Sequence, residues 1–380
     1  MLTRSTWDAV IIGAGPGGSL AALLLSRLGY SVLLVDRANL PRDKVCGCCL
    51  AQTGAMTLYS LGLGDVLAGA VHVDTCVLRI GRSSNRVHVR PYFAIDRATL
   101  DHRLTSAAAA AGARVLPGWH ASVRPDDSID LRSASMTGTA GSVVNIRPRA
   151  VLVADGLGGT SLDERPEFGW SIRSASRIGL GAKLQRSPVR LAPNELAMLI
   201  HPSGYLGLVH LHTGEIDLAA AIDPNRAREA GGPGPLCAEI IEASGGDPGA
   251  CDGVRWRGTP LLTRARSCVE SGRVMVLGDA AGYVEPITGE GMTWAIQSGV
   301  AAAGYIHERC LGQRPEGSWS AQYNRTMRRH RRRCFVISRM LRHDAALRMA
   351  MSGVNVCPGA LSFVVRLLVP GSDRFPRVTA

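Results

Sequence analysis

The chain has 380 residues, of which 46% are apolar and 19% are charged, and this balance excludes an intrinsically disordered protein. Its length predicts roughly two domains. The 43 Lys and Arg residues outnumber the 31 Asp and Glu residues and give a formal charge of +12, which favours anionic partners such as nucleotides, acidic carrier proteins or lipid headgroups.

The first residues of the chain and its cysteines indicate the cellular compartment of the protein. The first apolar run, residues 9–12, is only as long as a strand, and no run of about 18 apolar residues follows, so neither a signal peptide nor a membrane span is predicted. The cysteines are scattered apart from a cluster at Cys46, Cys48 and Cys49. We therefore expect a cytoplasmic protein with reduced thiols, with peripheral membrane association as an alternative.

The first predicted elements form a compact βαβ unit. Residues 8–12 are typical of a short buried parallel strand, and a glycine-rich turn follows. An alanine- and leucine-rich helix then runs to Leu28, and residues 31–35 predict a second buried strand that ends at Asp36.

The glycine-rich turn fits the dinucleotide-binding fingerprint. Gly13 allows the tight turn, Gly15 lets the backbone approach a pyrophosphate, and Gly18 lets the helix pack on the strand. Asp36 lies where a carboxylate binds a ribose, and its negative charge would repel a 2′-phosphate. The turn therefore predicts FAD or NAD as the bound nucleotide, and not NADP.

The rest of the chain predicts an α/β fold with a Rossmann-like nucleotide-binding domain, an inserted antiparallel β-sheet and C-terminal helices. The nucleotide-binding domain is expected to be discontinuous, at residues 1–75, 94–165 and 261–318. Residues 76–93 and 166–260 are expected to form the substrate-binding sheet, and residues 319–380 the C-terminal helical region.

Two later segments decide between the nucleotides. Residues 151–156 predict a strand that runs into an Asp-Gly turn, and residues 274–277 predict a strand that runs into Gly278-Asp279. A Pro286-Ile-Thr-Gly-Glu-Gly-Met292 segment then opens a helix of small residues. The fingerprint and these two segments occur in the same order in FAD-dependent aromatic hydroxylases, and the chain resembles that superfamily (the p-hydroxybenzoate hydroxylase-like proteins) over nearly all of its length.

Within that superfamily the chain is most similar to the geranylgeranyl reductase-like branch, through residues 41–47, Arg97 with Asp101, and residues 286–292. The resemblance implies that the nucleotide-binding domain is a Rossmann-like FAD-binding domain (a ββα sandwich) with non-covalent FAD. It also implies that Asp279 lies on the ribityl chain and that the amides of Gly291 and Met292 lie at the flavin N1/C2=O edge. A helix N-terminus at that edge would stabilise the anionic reduced flavin. The further cofactor-binding residues that it implies are Arg37, Arg42, Lys44, Arg97, Asp155, Gly278, Pro286 and Gly289.

The substrate strand departs from the relatives. The branch carries a Tyr-x-Trp-x-Phe-Pro motif, whereas residues 204–210 here read Gly-Tyr-Leu-Gly-Leu-Val-His, with Tyr205 as a candidate substrate-binding residue. The Trp-x-Trp-x-Ile-Pro motif of flavin halogenases is also absent, which argues against halogenation.

Three functions stay open on the sequence alone. The first is hydride transfer between flavin and a hydrophobic lipid, isoprenoid or carrier-bound acyl or polyketide chain, and the second is hydroxylation of an aromatic or polyketide ring. The third is flavin binding without turnover. Only one dinucleotide fingerprint is present, so NAD(P)H is expected to bind transiently or to be replaced by a protein electron donor.

The cysteine cluster follows the second strand, at the edge where open α/β sheets hold their ligands. Three thiols without a histidine at ligand spacing are too few for a metal site, so no metal is expected. We expect Cys46 to lie near the isoalloxazine in a catalytic role, as we expect of Gly291 and Met292. Cys48 and Cys49 are candidate substrate-binding residues, with buried structural thiols as the alternative.

A dense positive segment marks the C-terminal part. It contains His330 and six arginines, namely Arg325, Arg328, Arg329, Arg331, Arg332 and Arg333. The absence of any acid among them favours an anionic partner over a merely solvated face, either lipid headgroups or an acyl-carrier protein. Nucleic acid is not expected, because no aromatic side chains are interleaved with the arginines.

Overall fold

A computed structural model describes residues 6–133, 143–285, 287–312 and 317–340. Pro286, which was assigned to the cofactor site, lies outside the described residues, as do residues 341–380 of the predicted C-terminal helical region.

The described residues form seven α-helices and twenty strands. The helices are α1 (Pro16–Arg27), α2 (Gln52–Ser60), α3 (Arg97–Ala110), α4 (Pro224–Glu229), α5 (Pro233–Ala243), α6 (Gly291–Cys310) and α7 (Trp319–Met340). The strands are β1 (Ala9–Ile12), β2 (Val32–Asp36), β3 (Cys49–Ala51), β4 (Val71–Ile80), β5 (Ser83–Ala94), β6 (Arg114–Pro117), β7 (Trp119–Val123), β8 (Ile129–Ser133), β9 (Val144–Ile146), β10 (Ala150–Val153), β11 (Trp170–Ile172), β12 (Ile178–Leu184), β13 (Glu195–His201), β14 (Gly204–His210), β15 (Ile216–Ile222), β16 (Arg257–Leu261), β17 (Arg264–Arg266), β18 (Glu270–Ser271), β19 (Val274–Val276) and β20 (Gly282–Tyr283).

A six-stranded sheet in the order β18-β19-β10-β1-β2-β6 carries the glycine-rich turn. All its pairs are parallel except β18 with β19. Strands β1, β2 and β19 are buried along their whole length, as their uninterrupted Val, Ile and Leu runs require when both faces of a parallel sheet are covered. Helix α1 packs against both α3 and α6, and the three-stranded sheet β7-β8-β9 joins the same core. The predicted fold class is confirmed.

An eight-stranded sheet follows the order β16-β12-β15-β14-β13-β4-β5-β3. It is antiparallel as predicted, apart from one parallel pair of β4 with β13, because a hairpin from an earlier part of the chain joins its edge. The exact domain boundaries stay predictions.

The two faces of this large sheet differ because side chains alternate along each strand. Leu206 and Leu208 of β14 pack with α5 in one core cluster. Tyr205 of the same strand belongs to a different cluster, with Met198 and Leu262. The second face is therefore free to form a wall of the cavity described below.

Helix α7 is attached to the six-stranded sheet by its first residues. Trp319 is buried, and its indole N–H donates to the Val276 carbonyl at 3.0 Å. The Tyr323 hydroxyl donates to the Gly278 carbonyl at 3.1 Å. The predicted C-terminal helix is confirmed as far as Met340, and none of the helices in the described ranges is long and apolar enough to cross a bilayer.

Candidate functional site

A large cavity lies between the carboxyl ends of the six-stranded sheet and the second face of the eight-stranded sheet, the position where open α/β sheets bind their ligands. Its wall includes eleven of the residues predicted as site residues. They are Gly15, Lys44, Cys46, Cys49, Arg97, Tyr205, Gly278, Asp279, Gly289, Gly291 and Met292.

The three fingerprint glycines have different steric surroundings. Gly13 has a φ of +108°, and a Cβ atom there would lie 2.4 Å from the Ala154 carbonyl oxygen. A Cβ on Gly18 would lie 1.9 Å from the Gly13 oxygen, so only glycine lets helix and strand pack this closely. A Cβ on Gly15 would meet nothing nearer than an Arg97 nitrogen at 3.7 Å. Gly15 therefore leaves open space at the cavity, whereas Gly13 and Gly18 shape the turn.

Two helices begin at the cavity without a side-chain cap. Gly15, which has no side chain, precedes α1, and Glu290 precedes α6 without accepting a hydrogen bond from that helix. The N-cap of α3, in contrast, is Asp96, which accepts from the Thr99 amide at 2.9 Å. Uncapped N-termini offer free amides and a partial positive charge, which suits phosphate at α1 and an anionic ring edge at α6.

Asp36 is buried at the end of β2, where its carboxylate is already hydrogen-bonded. It accepts from the Ala14 amide at 2.8 Å and from Arg42 at 3.1 Å. Arg42 also lies 3.5 Å from Asp101, so it links the two acids. The exposed Arg37 donates to the Gly158 carbonyl at 3.4 Å. The ribose contact of Asp36 stays a prediction.

Charged side chains lie close together on the side of the cavity formed by the six-stranded sheet. Arg97 is buried and forms two hydrogen bonds with Asp101, at 2.9 and 2.8 Å. Burial raises the pKa of Asp279, while Lys44 and Arg97 act against that rise. Burial lowers the pKa of Lys44, and the charge of Arg97 lowers it further.

Asp155 lies in the Asp-Gly turn that follows β10. Its Oδ2 accepts from the Ser161 amide and hydroxyl, at 3.1 and 2.7 Å. Its buried Oδ1 has no hydrogen-bond partner among the described residues. An orphaned buried acceptor is costly, so a bound donor at this turn would be favourable.

Together these features fit FAD. The open space at Gly15 and the two uncapped helix N-termini occur around one cavity, and the orphaned Asp155 oxygen lies at a turn whose neighbours, Ala154 and Gly156, line the same cavity. We propose that Asp279, Lys44 and Arg97 hold the middle of the cofactor, because they line the same cavity as Gly15 and Gly291.

Comparison with known proteins agrees with this reading. Residues 6–187 match the family model described as an FAD binding domain. The chain is 31% identical over 325 residues to a menaquinone reductase of Mycobacterium tuberculosis, which covers 80% of this chain and 78% of that protein. It is 24% identical over 330 residues to a digeranylgeranylglycerophospholipid reductase of Methanosphaera stadtmanae, and this match covers 78% of this chain and 76% of that protein. The chain belongs to the geranylgeranyl reductase-like branch of the FAD-dependent aromatic hydroxylase superfamily.

This family membership makes the protein an FAD-dependent oxidoreductase. Flavoproteins other than reductases share this fold. The flavin-dependent brominase Bmp2 matches with a TM-score of 0.77 at 18% identity, covering 96% of this chain and 93% of that one. At that identity the likeness concerns the fold alone.

The cysteine cluster is divided between two cavities. Cys46 lines the large cavity and also a second cavity, Cys49 lines the large one, and Cys48 lines the second one. A hydrogen bond from Cys48 and the charge of Arg97 outweigh burial and lower the pKa of the Cys46 thiol to about 6. Burial raises the pKa of Cys49, so that thiol stays protonated.

Several residues that line the large cavity were not predicted from the sequence. Tyr92 and Tyr283 bring two further phenols to the cavity, and Gly207 and Met198 form part of its sheet wall. Alternation along β13 and β14 could have placed Met198 and Gly207 on the same face as Tyr205. No local signal identifies Tyr92, which is positioned by the pairing of β5 with β3 on one side and with β4 on the other.

Proposed function

We propose that the protein reduces carbon–carbon double bonds in a hydrophobic, isoprenoid-bearing substrate. The observation that carries this proposal is the sheet wall of the cavity, which contains no charged side chain. The wall consists of Gly179, Leu180, Leu196, Met198, Tyr205, Gly207, Ala219, Ala220, Ala221, Thr259 and Leu262. Such a wall favours an uncharged, mostly apolar molecule over a charged one.

The relatives support the choice of substrate class. One is named a menaquinone reductase and the other a digeranylgeranylglycerophospholipid reductase, and both named substrates carry polyprenyl chains. Bound FAD would supply the hydride for such a reaction. The protein must then exclude water, place the double bond and hold a proton for the second carbon.

Two phenols are suitably placed to hold that proton. Burial raises the pKa of both Tyr205 and Tyr283 well above the ordinary value, so each hydroxyl keeps its proton at neutral pH. The Tyr283 hydroxyl would be 3.6 Å from a Cβ on Gly291, which places it beside the first residue of α6. Tyr205 lies on the opposite, sheet side of the cavity, under the Arg177 guanidinium.

Helix α7 presents a basic face that we propose as the docking surface for the source of the substrate, a lipid bilayer or an acyl-carrier protein. Arg325, Arg328 and Arg332 are exposed, and the helix contains no acidic residue. Its opposite side packs near the cavity, where Cys334 lies 3.7 Å from the Thr288 hydroxyl. Three to six arginines on one face bind an anionic surface at about 1 kcal/mol each.

Single-turnover reduction tests the proposal. The FAD-containing protein is reduced under anaerobic conditions and mixed with geranylgeraniol, and we expect flavin reoxidation with a product that has gained two hydrogens. Gly207→Leu fills the cavity wall and should slow this reoxidation at least about tenfold. Gly258→Leu is the matched control, because Gly258 is exposed on β16, the edge strand of the same sheet, and lies outside the cavity wall.

The alternative function, hydroxylation, predicts a different product. Reoxidation would then require O₂, and the product would gain one oxygen atom instead of two hydrogens. That result, or equal rates in the two glycine variants, would overturn the proposal.

A further inference from the structure

The segment 44–48 forms a thin partition between two cavities. On one side is the large cavity with the flavin site, and on the other is the second cavity, which is lined by Asp96, Lys183 and Asp217. Cys46 is half-buried and lines both cavities, so small molecules can reach its thiol from either side.

Cys48 is placed to react with Cys46. One glycine separates the two residues, and Cα atoms two residues apart lie within about 7 Å, close to the range of about 4.4–6.8 Å that a disulfide needs. A Cβ on Gly47 would meet nothing nearer than Ala219 at 3.7 Å, so the backbone between the thiols is not tightly packed. The two side chains already interact directly.

The surroundings give the two thiols opposite charge states. Arg97 and Cys48 stabilise Cys46 as a thiolate, with a pKa of about 6. The Cys46 interaction, burial and the nearby Asp217 carboxyl all raise the pKa of Cys48, which stays a neutral thiol. A thiolate that lines a cavity beside a protonated thiol is the arrangement of a peroxide-sensitive cysteine and its resolving partner.

The backbone of Cys48 supports a specific role. Its φ of +51° is uncommon for a residue with a side chain, and such conformations cost of order 1–3 kcal/mol and cluster at functional sites. Its carbonyl accepts from the Ile95 amide at 2.9 Å, which holds this conformation in place.

We propose that Cys46 and Cys48 are a redox modification site at which hydrogen peroxide forms a reversible disulfide. The Cys46 thiolate attacks one peroxide oxygen, the O–O bond breaks, and the products are a sulfenic acid and hydroxide. The Cys48 sulfur then displaces the sulfenic hydroxyl, which takes the Cys48 proton and leaves as water. Sulfur loses two electrons overall, and the peroxide is reduced to hydroxide and water.

Peroxide is available at this place by ordinary flavin chemistry, since reduced flavins exposed to O₂ release hydrogen peroxide. The inference therefore needs the FAD site and does not depend on the identity of the substrate. Disulfide formation would remove the negative charge that faces Arg97 in the cavity wall.

Peptide mapping by mass spectrometry tests the site in the FAD-containing protein. After treatment with a few equivalents of hydrogen peroxide and alkylation of the remaining thiols, we expect the wild-type protein to contain a Cys46–Cys48 disulfide that dithiothreitol reverses. In Cys48→Ser, oxidation should stop at the sulfenic acid, which dimedone labels on Cys46. Cys46→Ser should form neither product.

Cys49→Ser is the matched control, because Cys49 is adjacent in sequence but is protonated by burial. It should form the same disulfide at the wild-type rate. Mapping of the wild-type protein needs no variant to fold, and the readout is a mass that is independent of substrate turnover. An alkylated, unoxidised Cys46 in the wild-type protein, or a disulfide that involves Cys49, would overturn the proposal.

Discussion

Gly15 and Gly18 lie in the same turn, but the structure predicts opposite consequences for a single added methyl group. Gly15 has φ −79° and ψ −178°, a conformation that any residue adopts, and its Cβ would have open space. Gly15→Ala should therefore leave the unfolding free energy of the apoprotein within about 0.5 kcal/mol of wild type. Gly18→Ala places a methyl group 1.9 Å from the Gly13 oxygen, so the backbone must move.

The magnitudes separate the two effects. Overpacking against backbone costs about 1–3 kcal/mol or more, so Gly18→Ala should lower apoprotein stability by about 3 kcal/mol. At Gly15 the loss falls on the cofactor. A methyl group in the space for the pyrophosphate removes a charge-assisted hydrogen bond of about 1.5–3 kcal/mol, which weakens FAD binding about tenfold to a hundredfold.

Urea unfolding of the apoproteins and titration with FAD, followed by quenching of flavin fluorescence, measure the two quantities independently. Gly15→Ala should change only the FAD dissociation constant, and Gly18→Ala should change the unfolding midpoint in the absence of FAD. If Gly15→Ala binds FAD as tightly as wild type, the assignment of the α1 N-terminus to the pyrophosphate is wrong.

Two further predictions follow from charge. Burial raises the pKa of Glu290 from 4.5 to about 7. As the pH rises, this carboxyl therefore ionises in the unfolded chain before it ionises in the folded protein. The free energy of unfolding consequently falls between these two pH values, by about 3 kcal/mol in total. Glu290→Gln should abolish this loss of stability, which thermal melts from pH 4 to pH 8 measure. A variant whose melting temperature falls with pH in parallel with that of wild type would contradict the prediction. Changing Arg325, Arg328 and Arg332 to Glu should weaken sedimentation with anionic phosphatidylglycerol vesicles about a hundredfold. The matched control changes three exposed arginines elsewhere, Arg82, Arg90 and Arg114. Equal loss in both triple variants would show that net charge, not the α7 face, governs binding.

The parts of the fold that the sequence predicts are those with strong local signals. The strands at β1, β2 and β10 consist mostly of Val, Ile and Leu, and the turn after β1 contains Gly13 and Gly18, where a Cβ would collide with backbone. The four strands β12 to β15 are short, apolar and separated by turn residues, so their extents are also readable from pattern alone.

Pairings between distant segments have no such signal. Thr75 lies opposite Glu195 in the parallel pair of β4 and β13, and nothing near either residue indicates the other. The same holds for the buried ion pair of Arg177 with Glu285, at 2.8 Å, and for the approach of Asp217 to Cys48. Parts of the site that depend on these pairings could be found only in the folded chain.

Strand β14 connects the departure from the family motif with the shape of the cavity. The branch carries Tyr-x-Trp-x-Phe-Pro at this strand, and Tyr205 stands at the position of its tyrosine. Two residues further on, Gly207 occupies the position of the tryptophan, and a Cβ there would meet only Met198 at 3.4 Å, the Ala219 oxygen at 3.8 Å and Leu196 at 3.9 Å. The register places Ala219 directly opposite Gly207 on β15, so two small residues face each other where the family motif has an indole. The charged residues of the cavity lie on the cofactor side, whereas the missing indole would lie in the sheet wall. The width of the substrate space can therefore change without a change in the residues that bind the cofactor. We therefore expect the substrate of this protein to be wider at that point than those of relatives that carry the aromatic motif.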